Sequence, residues 1–281
     1  MTLSVKQALC MATELRSISD SSLLDTEIIL SFVLSRSREY LRAYDETQLT
    51  RLEEDNFIKL FNRRKLGEPI AYIVEKCSFW GFDLFVNSSV LIPRPETERL
   101  VEFALELASE REGPICIADL GTGSGAIALA LALENAHWNI HAVEISEAAM
   151  EVARINARSL GVNNIEFHMG SWCDGLPDER FDLIIANPPY IAQGDYNLLA
   201  GDLSYEPLIA LVSEESGYSA INEIVDRSYG FLKNGAWLLI EHGYDQQETL
   251  LSRLESTGYS DITGHKDFSG VDRIVIARGN I

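Results

Sequence analysis

The spacing of apolar and polar positions changes character along the chain. Up to about residue 70 it has the period of helices. LLDTEIILSFVL (23–34) repeats its apolar positions every three to four residues. Thr50-Arg51-Leu52-Glu53 has the form of a capping box, opening a helix that carries Phe57, Leu60 and Phe61 and is stopped by Gly67 and Pro69. Between Ala71 and Pro95 the pattern becomes short and alternating, as in SFWGFDLFV with Gly81 at the turn, which predicts a hairpin.

A helix is predicted from about Glu96 to Glu110, with Leu100, Val101, Ala104, Leu107 and Ala108 on one face. From Ile115 onward strand and helix patterns alternate. ICIADL, NIHAVEI, NIEFHM, FDLIIAN, AWLLIEH and RIVIAR are the strand candidates, and their alternation with helices predicts an α/β fold with a mostly parallel sheet covered on both faces. The stretch from Ile191 to Gly217 shows no regular element and is long for a connector, so it is expected to form part of a substrate groove. Its SYEPLIAL either touches substrate or docks the loop on the domain.

Composition narrows the class. With 281 residues, 46% apolar, the chain has material for one large domain and a smaller one. The longest apolar run, AIALALAL (126–133), is far shorter than a bilayer span, and the first residues lack the order of a signal peptide. A soluble, cytoplasmic protein is expected, with no membrane partner. Cys10, Cys77, Cys116 and Cys173 form no CxxC pair. Only His137 and His141 are four apart, and they lead into a strand whose period of two separates their faces, so no metal is expected.

Charge bears on partners. Up to Lys76 there are 11 Lys and Arg against 12 Asp and Glu; beyond it, 12 against 31. An acidic catalytic part repels phosphate backbones, which disfavours a nucleic-acid substrate, although Arg63, Arg64 and Lys65 form a local basic cluster.

The chemistry begins at DLGTGSGAIALALA (119–132). Gly121, Thr122, Gly123, Ser124 and Gly125 follow a strand and open a helix, the setting in which a backbone approaches a nucleotide closely. The spacing is G-x-G-x-G, less suited to a pyrophosphate than G-x-G-x-x-G and fitting a cofactor without phosphates. Glu144 closes the next strand about 20 residues on, where an acid accepts both ribose hydroxyls. Trp172 follows the third strand and offers a stacking surface for adenine. Together they describe an adenosine site of the kind S-adenosyl-L-methionine requires.

IIANPPY (184–190) puts Asn187, Pro188, Pro189 and Tyr190 at the carboxyl end of the fourth strand. An amide nitrogen is a poor nucleophile because its lone pair is delocalised. The Asn187 side-chain oxygen and the Pro188 carbonyl, each accepting one N–H of a planar NH₂, favour the pyramidal form and free that lone pair. Prolines stiffen the backbone and bring no competing N–H, and Tyr190 packs on the flat target. Catalysis then rests on orientation and preorganisation.

With these residues in view, the chain resembles the peptide chain release factor glutamine N5-methyltransferase family. The likeness runs through GEPIAYI (67–73), FWG (79–81), LIPRPETE (91–98), DLGTGSGAIALA (119–130), NPPYI (187–191), YEP (205–207) and EHG (241–243). LIPRPETE together with NPPY is specific; NPPY alone is shared with adenine-N6 methyltransferases. The resemblance implies a seven-stranded Rossmann-like methyltransferase domain at 96–281, preceded by a helical substrate-recognition domain at 1–73 and a linking β-hairpin at 74–95. It implies a monomer that methylates the glutamine of the Gly-Gly-Gln motif in release factors. Gly121 to Gly125, Glu144, Trp172 and Asn187 are then cofactor contacts; Asn187, Pro188, Pro189 and Tyr190 bind the amide, with Asn187 and Pro188 catalytic, and Arg94 lines the entrance.

Two positions depart from the pattern. Ser171 stands where many members carry an acid, and VEKC (74–77) lacks a glycine often found there. Three alternatives remain at this point: a glutamine methyltransferase for a ribosomal protein, a nucleic-acid adenine-N6 methyltransferase, and a binding module that has kept only the cofactor fold.

Overall fold

The computed structural model describes residues 2–280 apart from Glu110, Glu112 and Ala200. The chain divides into two compact units, Met1–Lys76 with Tyr196–Tyr205, and Cys77–Asp195 with Glu206–Ile281.

The first unit is helical. Its helices span Val5–Cys10, Ser22–Leu34, Arg38–Ala43, Arg51–Lys65 and Ile70–Ile73. The predicted capping box is present: the Thr50 hydroxyl accepts the Glu53 N–H, and the Glu53 carboxylate accepts the Thr50 N–H. Ile29, Leu30, Phe57 and Phe61 are fully buried in one core, with Leu60 partly buried against it. Asp25 and Glu27, on the otherwise apolar second helix, are buried as well, so each needs a cation. Arg64 donates to Asp25 at 2.7 Å, and Arg38 and Arg42 flank Glu27. Arg63 pairs with Glu68 and Lys65 with Glu14, so all three members of the basic cluster at 63–65 are neutralised by carboxylates of this unit.

Next along the chain come paired strands β1 (Lys76–Phe79) and β2 (Phe82–Phe85), all but Lys76 in the second unit. They are joined by Trp80 and Gly81, both at positive φ (50° and 78°), as a tight hairpin turn requires. A helix then covers Pro95–Ser109, with its proline in the first turn where the missing N–H costs nothing. The predicted end at Glu110 lies outside the described residues.

The remaining strands are β3 (Cys116–Leu120), β4 (Asn139–Glu144), β5 (Ile165–Met169), β6 (Phe181–Ala186), β7 (Ile191–Ala192), β8 (Val212–Ser213), β9 (Leu232–Glu241), β10 (Ser260–Lys266) and β11 (Asp272–Arg278). Seven of them form one sheet in the order β10-β11-β9-β6-β3-β4-β5. From β9 to β5 all pairings are parallel; β11 is antiparallel to both its neighbours. The order steps outward from β3 to one side and returns through β6 to the other, which leaves a crevice at the carboxyl ends of β3 and β6.

Six of these strands coincide with the apolar runs read from the sequence. The seventh, β10, has no such run: SDITGHK lies at the sheet edge, mostly exposed, with irregular register on both sides of Thr263–His265. The segment 191–217, expected to lack regular elements, holds β7 paired in parallel with β8, two 3-10 turns and a helical turn at Leu208–Leu211. These pieces are too short to leave a periodic signature.

Candidate active site

A cavity of about 330 Å³ opens where the loops leave β3, β4, β5 and β6. Its wall includes Gly121, Thr122, Gly123, Ser124, Glu144, Trp172, Asn187 and Pro189. Eight of the residues singled out in the sequence are therefore brought together at one rim. Gly125, Pro188 and Tyr190 lie behind the wall. Gly125 precedes the helix Ala126–Glu134, Pro188 is buried, and the half-buried Tyr190 packs against the sheet core.

The glycine loop has steric reasons for its glycines. Gly121 has φ +75°, and a Cβ there would meet the Trp172 ring at 2.8 Å. The indole thus lies directly on the loop, and this close approach shapes this end of the cavity. Thr122 turns its hydroxyl away from the cavity onto Asp119 Oδ2 at 2.6 Å, and the same oxygen accepts the Ala128 N–H at 3.2 Å. Burial pushes the Asp119 carboxyl up to about 6, partly offset by those two donors.

Glu144 is held by backbone on both oxygens. Oε2 accepts the Gly123 N–H, and Oε1 accepts the N–H groups of Ile145 and Ser146, all at 2.9 Å. A carboxylate fixed in this way presents its remaining lone pairs in one direction. Ser171 also lines the wall.

Asn187 donates from Nδ2 to the Thr97 hydroxyl at 3.2 Å, and Thr97 donates to Glu241 Oε2 at 2.8 Å. Thr97 and Glu241 are buried. Burial pushes the Glu241 carboxyl up to about 7, with Thr97 and Arg273 acting in the opposite direction. The loop after Asn187 is secured by Gln246, whose Nε2 donates to the carbonyls of Tyr190 (3.2 Å) and Gly217 (3.3 Å) while its Oε1 accepts the Gly243 N–H. Burial pushes the Tyr190 phenol up to about 12.

Arg94 lines the cavity and is paired with the buried Glu206, which also accepts the Ile92 N–H at 3.1 Å. Glu206 thus fastens the loop to the LIPRPETE segment, while the exposed Ile209 a few residues on faces the cavity. Docking by this segment is thus present through Glu206, while Ile209 lines the cavity.

Thr97, Asp119, Gln246 and Glu241 were not singled out as site residues from the sequence. Thr97 and Glu241 do fall inside LIPRPETE and EHG, which was the available signal. His141 pairs with His168 (2.9 Å) and Glu179 (3.2 Å), not with His137. Cys116, His141 and Glu179, and likewise His141, Glu166 and His168, bring ligand-type atoms within 4.8 Å of one another, away from the cavity wall. Among the described residues no helix is long and apolar enough to cross a membrane.

A glycine loop, a strand-end acid and an aromatic residue at the carboxyl edge of this seven-stranded sheet define an S-adenosylmethionine-dependent methyltransferase. Residues 115–255 match the family model described as a methyltransferase domain, and residues 10–74 that of the PrmC N-terminal domain. The chain belongs to the release factor glutamine methyltransferases. It is 43% identical over 277 residues to the release factor glutamine methyltransferase of Coxiella burnetii, covering 98% of this chain and 99% of that one. With that of Escherichia coli it shares 41% over 260 residues, 92% and 93% of the two chains. A solved methyltransferase from Pyrococcus furiosus has the same fold, with a TM-score of 0.54 at 18% identity over 79% of this chain and 99% of that one.

Proposed function

We propose that this protein transfers the methyl group of S-adenosyl-L-methionine to the side-chain amide nitrogen (N5) of the glutamine in the Gly-Gly-Gln motif of peptide chain release factors. The observation that carries this reading is the Asn187 amide on the cavity wall, with its Nδ2 end committed to Thr97. An oxygen acceptor at that place suits an NH₂ target.

The residues present fit the cofactor. The wall is lined by the acids Glu144, Glu214 and Glu223, and its one arginine, Arg94, is already paired with Glu206. Such a wall disfavours a pyrophosphate and suits a cationic, phosphate-free adenosine derivative. Gly121, Thr122, Gly123, Ser124 and Gly125 would supply the close backbone, Glu144 the ribose acceptor and Trp172 the ring surface. When bound, S-adenosylmethionine supplies an electrophilic methyl group on a sulfonium.

The chain's own residues prepare the acceptor. Asn187 Oδ1 and the Pro188 carbonyl take the two N–H bonds of the glutamine amide, which weakens its conjugation and exposes the nitrogen lone pair. As the nitrogen gains the methyl carbon it becomes cationic and gives up one N–H proton to water. The Pro188 carbonyl lies between the lining residues Asn187 and Pro189, and the prolines keep it free of competing donors. Tyr190, behind the wall, backs the loop that carries these groups, and Gln246 holds its main chain still. With Asn187 already held by Thr97, little reorganisation of its amide is needed at the moment of reaction.

The helical unit is taken to hold the release factor, and the protein to work as a cytoplasmic monomer, in keeping with a translation factor as substrate. The test is methyl transfer from radiolabelled donor to an intact release factor and to one whose Gly-Gly-Gln glutamine is replaced by alanine. Labelling of the first and not of the second is expected. Equal labelling of both, or labelling only of ribosomal protein or nucleic acid, overturns the assignment.

A further inference from the structure

We infer that Thr97 and Glu241 are positioning residues that decide which end of the Asn187 amide faces the substrate, and so make the site one for a carboxamide and not for a carboxylate. The inference rests on the proposed clamp role of Asn187.

A primary amide has one accepting and one donating end, and rotating it by half a turn exchanges them at almost no steric cost. Nothing in the Asn-Pro-Pro backbone chooses between the two. The choice is made by a chain of hydrogen bonds that runs in one direction. An ionised Glu241 can only accept, so the Thr97 proton goes to Oε2 at 2.8 Å. With its proton used, the Thr97 oxygen can only accept from Asn187, and it takes Nδ2 at 3.2 Å. Oδ1 is then the end left to meet a ligand.

The same polarity sets specificity. A glutamine side chain brings two N–H donors to Oδ1 and the Pro188 carbonyl. A glutamate in its place brings only oxygens, which face two further oxygen acceptors and are repelled.

Thr97 lies on the helix Pro95–Ser109, Glu241 ends β9, and Asn187 follows β6. Their separation in sequence, 90 and 144 residues, shows that the fold assembles the relay. Around Glu241 stand Arg273 from β11 and the Asn187 amide itself, whose side chain also hydrogen-bonds the carboxylate and so adds to the Thr97 relay; both favour its charge. Glu96 opposes it, and Tyr190 faces it from the NPPY loop. His242, next in the chain, turns its Nδ1 onto the Gly243 carbonyl. Burial pushes the Glu241 carboxyl up to about 7. Once protonated, Glu241 donates to Thr97, the Thr97 hydroxyl is released to donate to Asn187, and the amide turns Oδ1 inward and Nδ2 toward the ligand. Turnover should therefore fall as pH drops through about 7, with cofactor affinity unchanged.

The experiment is steady-state methyl transfer to a release factor by wild-type protein, Thr97→Val, Thr97→Ser, Glu241→Gln and Asn187→Ala, with cofactor affinity measured by calorimetry and folding by thermal melting. Thr97→Val should lower kcat by roughly 10- to 100-fold, the scale of a small misplacement of a reacting group, with cofactor affinity within about twofold of wild type. Thr97→Ser should restore most of the loss, and Glu241→Gln should remove the acid limb of the kcat profile. An Asn187→Ala variant that turns over normally sinks the clamp itself. If Asn187→Ala is inactive while Thr97→Val keeps wild-type kcat and the wild-type pH profile, the clamp stands and the positioning role falls. Should Glu241→Gln not fold, the Thr97→Val and Thr97→Ser pair still decides.

Discussion

Glu144 Oε2 accepts the backbone N–H of Gly123 at 2.9 Å, so the carboxylate that ends β4 fastens the glycine loop that leaves β3. One side chain thereby shapes two parts of the cavity wall. Its other oxygen, held by Ile145 and Ser146, also fixes the entrance to the helix Glu147–Leu160.

Replacing Glu144 by Ala should weaken S-adenosylmethionine binding by about 1 to 3 kcal/mol, the range for losing a hydrogen bond to a charged group. Titration calorimetry measures it directly. Unchanged affinity would remove Glu144 from the ribose site.

Gly121→Ala tests the close approach of loop and indole. The added Cβ would sit 2.8 Å from Trp172 Cζ3 on a residue with φ +75°. A left-handed backbone with a side chain costs about 1 kcal/mol or more, and the ring must move as well. The variant should melt at lower temperature and bind cofactor more weakly. A stability and an affinity equal to wild type would show that the contact is not a constraint.

Arg64→Ala bears on the helical unit. Arg64 donates to the buried Asp25 and to the Glu68 carbonyl, and its loss strands a charge in the core. Breaking such a pair costs about 3 to 5 kcal/mol, read as a shifted denaturant midpoint. The midpoint should recover in Asp25→Asn/Arg64→Met, where no buried charge is left unpaired and Asp202, the other partner of Arg64, is half-exposed to water. A single variant as stable as wild type would mean that Asp25 finds water instead.

Asn187→Ala should lower the methylation rate by about 10²-fold or more, the scale for removing one preorganised polar group, while the protein keeps its circular dichroism spectrum. A variant that loses binding but retains turnover at saturation would assign Asn187 to recognition.

The sheet was legible where burial is two-sided. β3, β4, β6 and β9 lie in the parallel body of the sheet, and their apolar runs announce them. β10 escaped because an antiparallel edge with one face in water has no need of such a run: Ser260, Asp261, His265 and Lys266 carry its polarity. The glycine loop, Glu144, Trp172 and Asn187 stand out in the sequence because each sits at or just past the end of a strand. Thr97 and Glu241 were not, since their roles depend on partners brought together only by the fold. His141 illustrates the same limit: spacing offers His137, whereas the register of β4 and β5 provides His168.

The central claim is that the methyl group goes to a glutamine amide nitrogen held by Asn187. It is tested most directly by tandem mass spectrometry of a release factor incubated with this protein and deuterated-methyl donor. A single labelled methyl is expected on the side-chain nitrogen of the Gly-Gly-Gln glutamine, formed about 10²-fold more slowly when Asn187→Ala replaces the wild type. A label on any other residue, or an undiminished label with the variant, would contradict it.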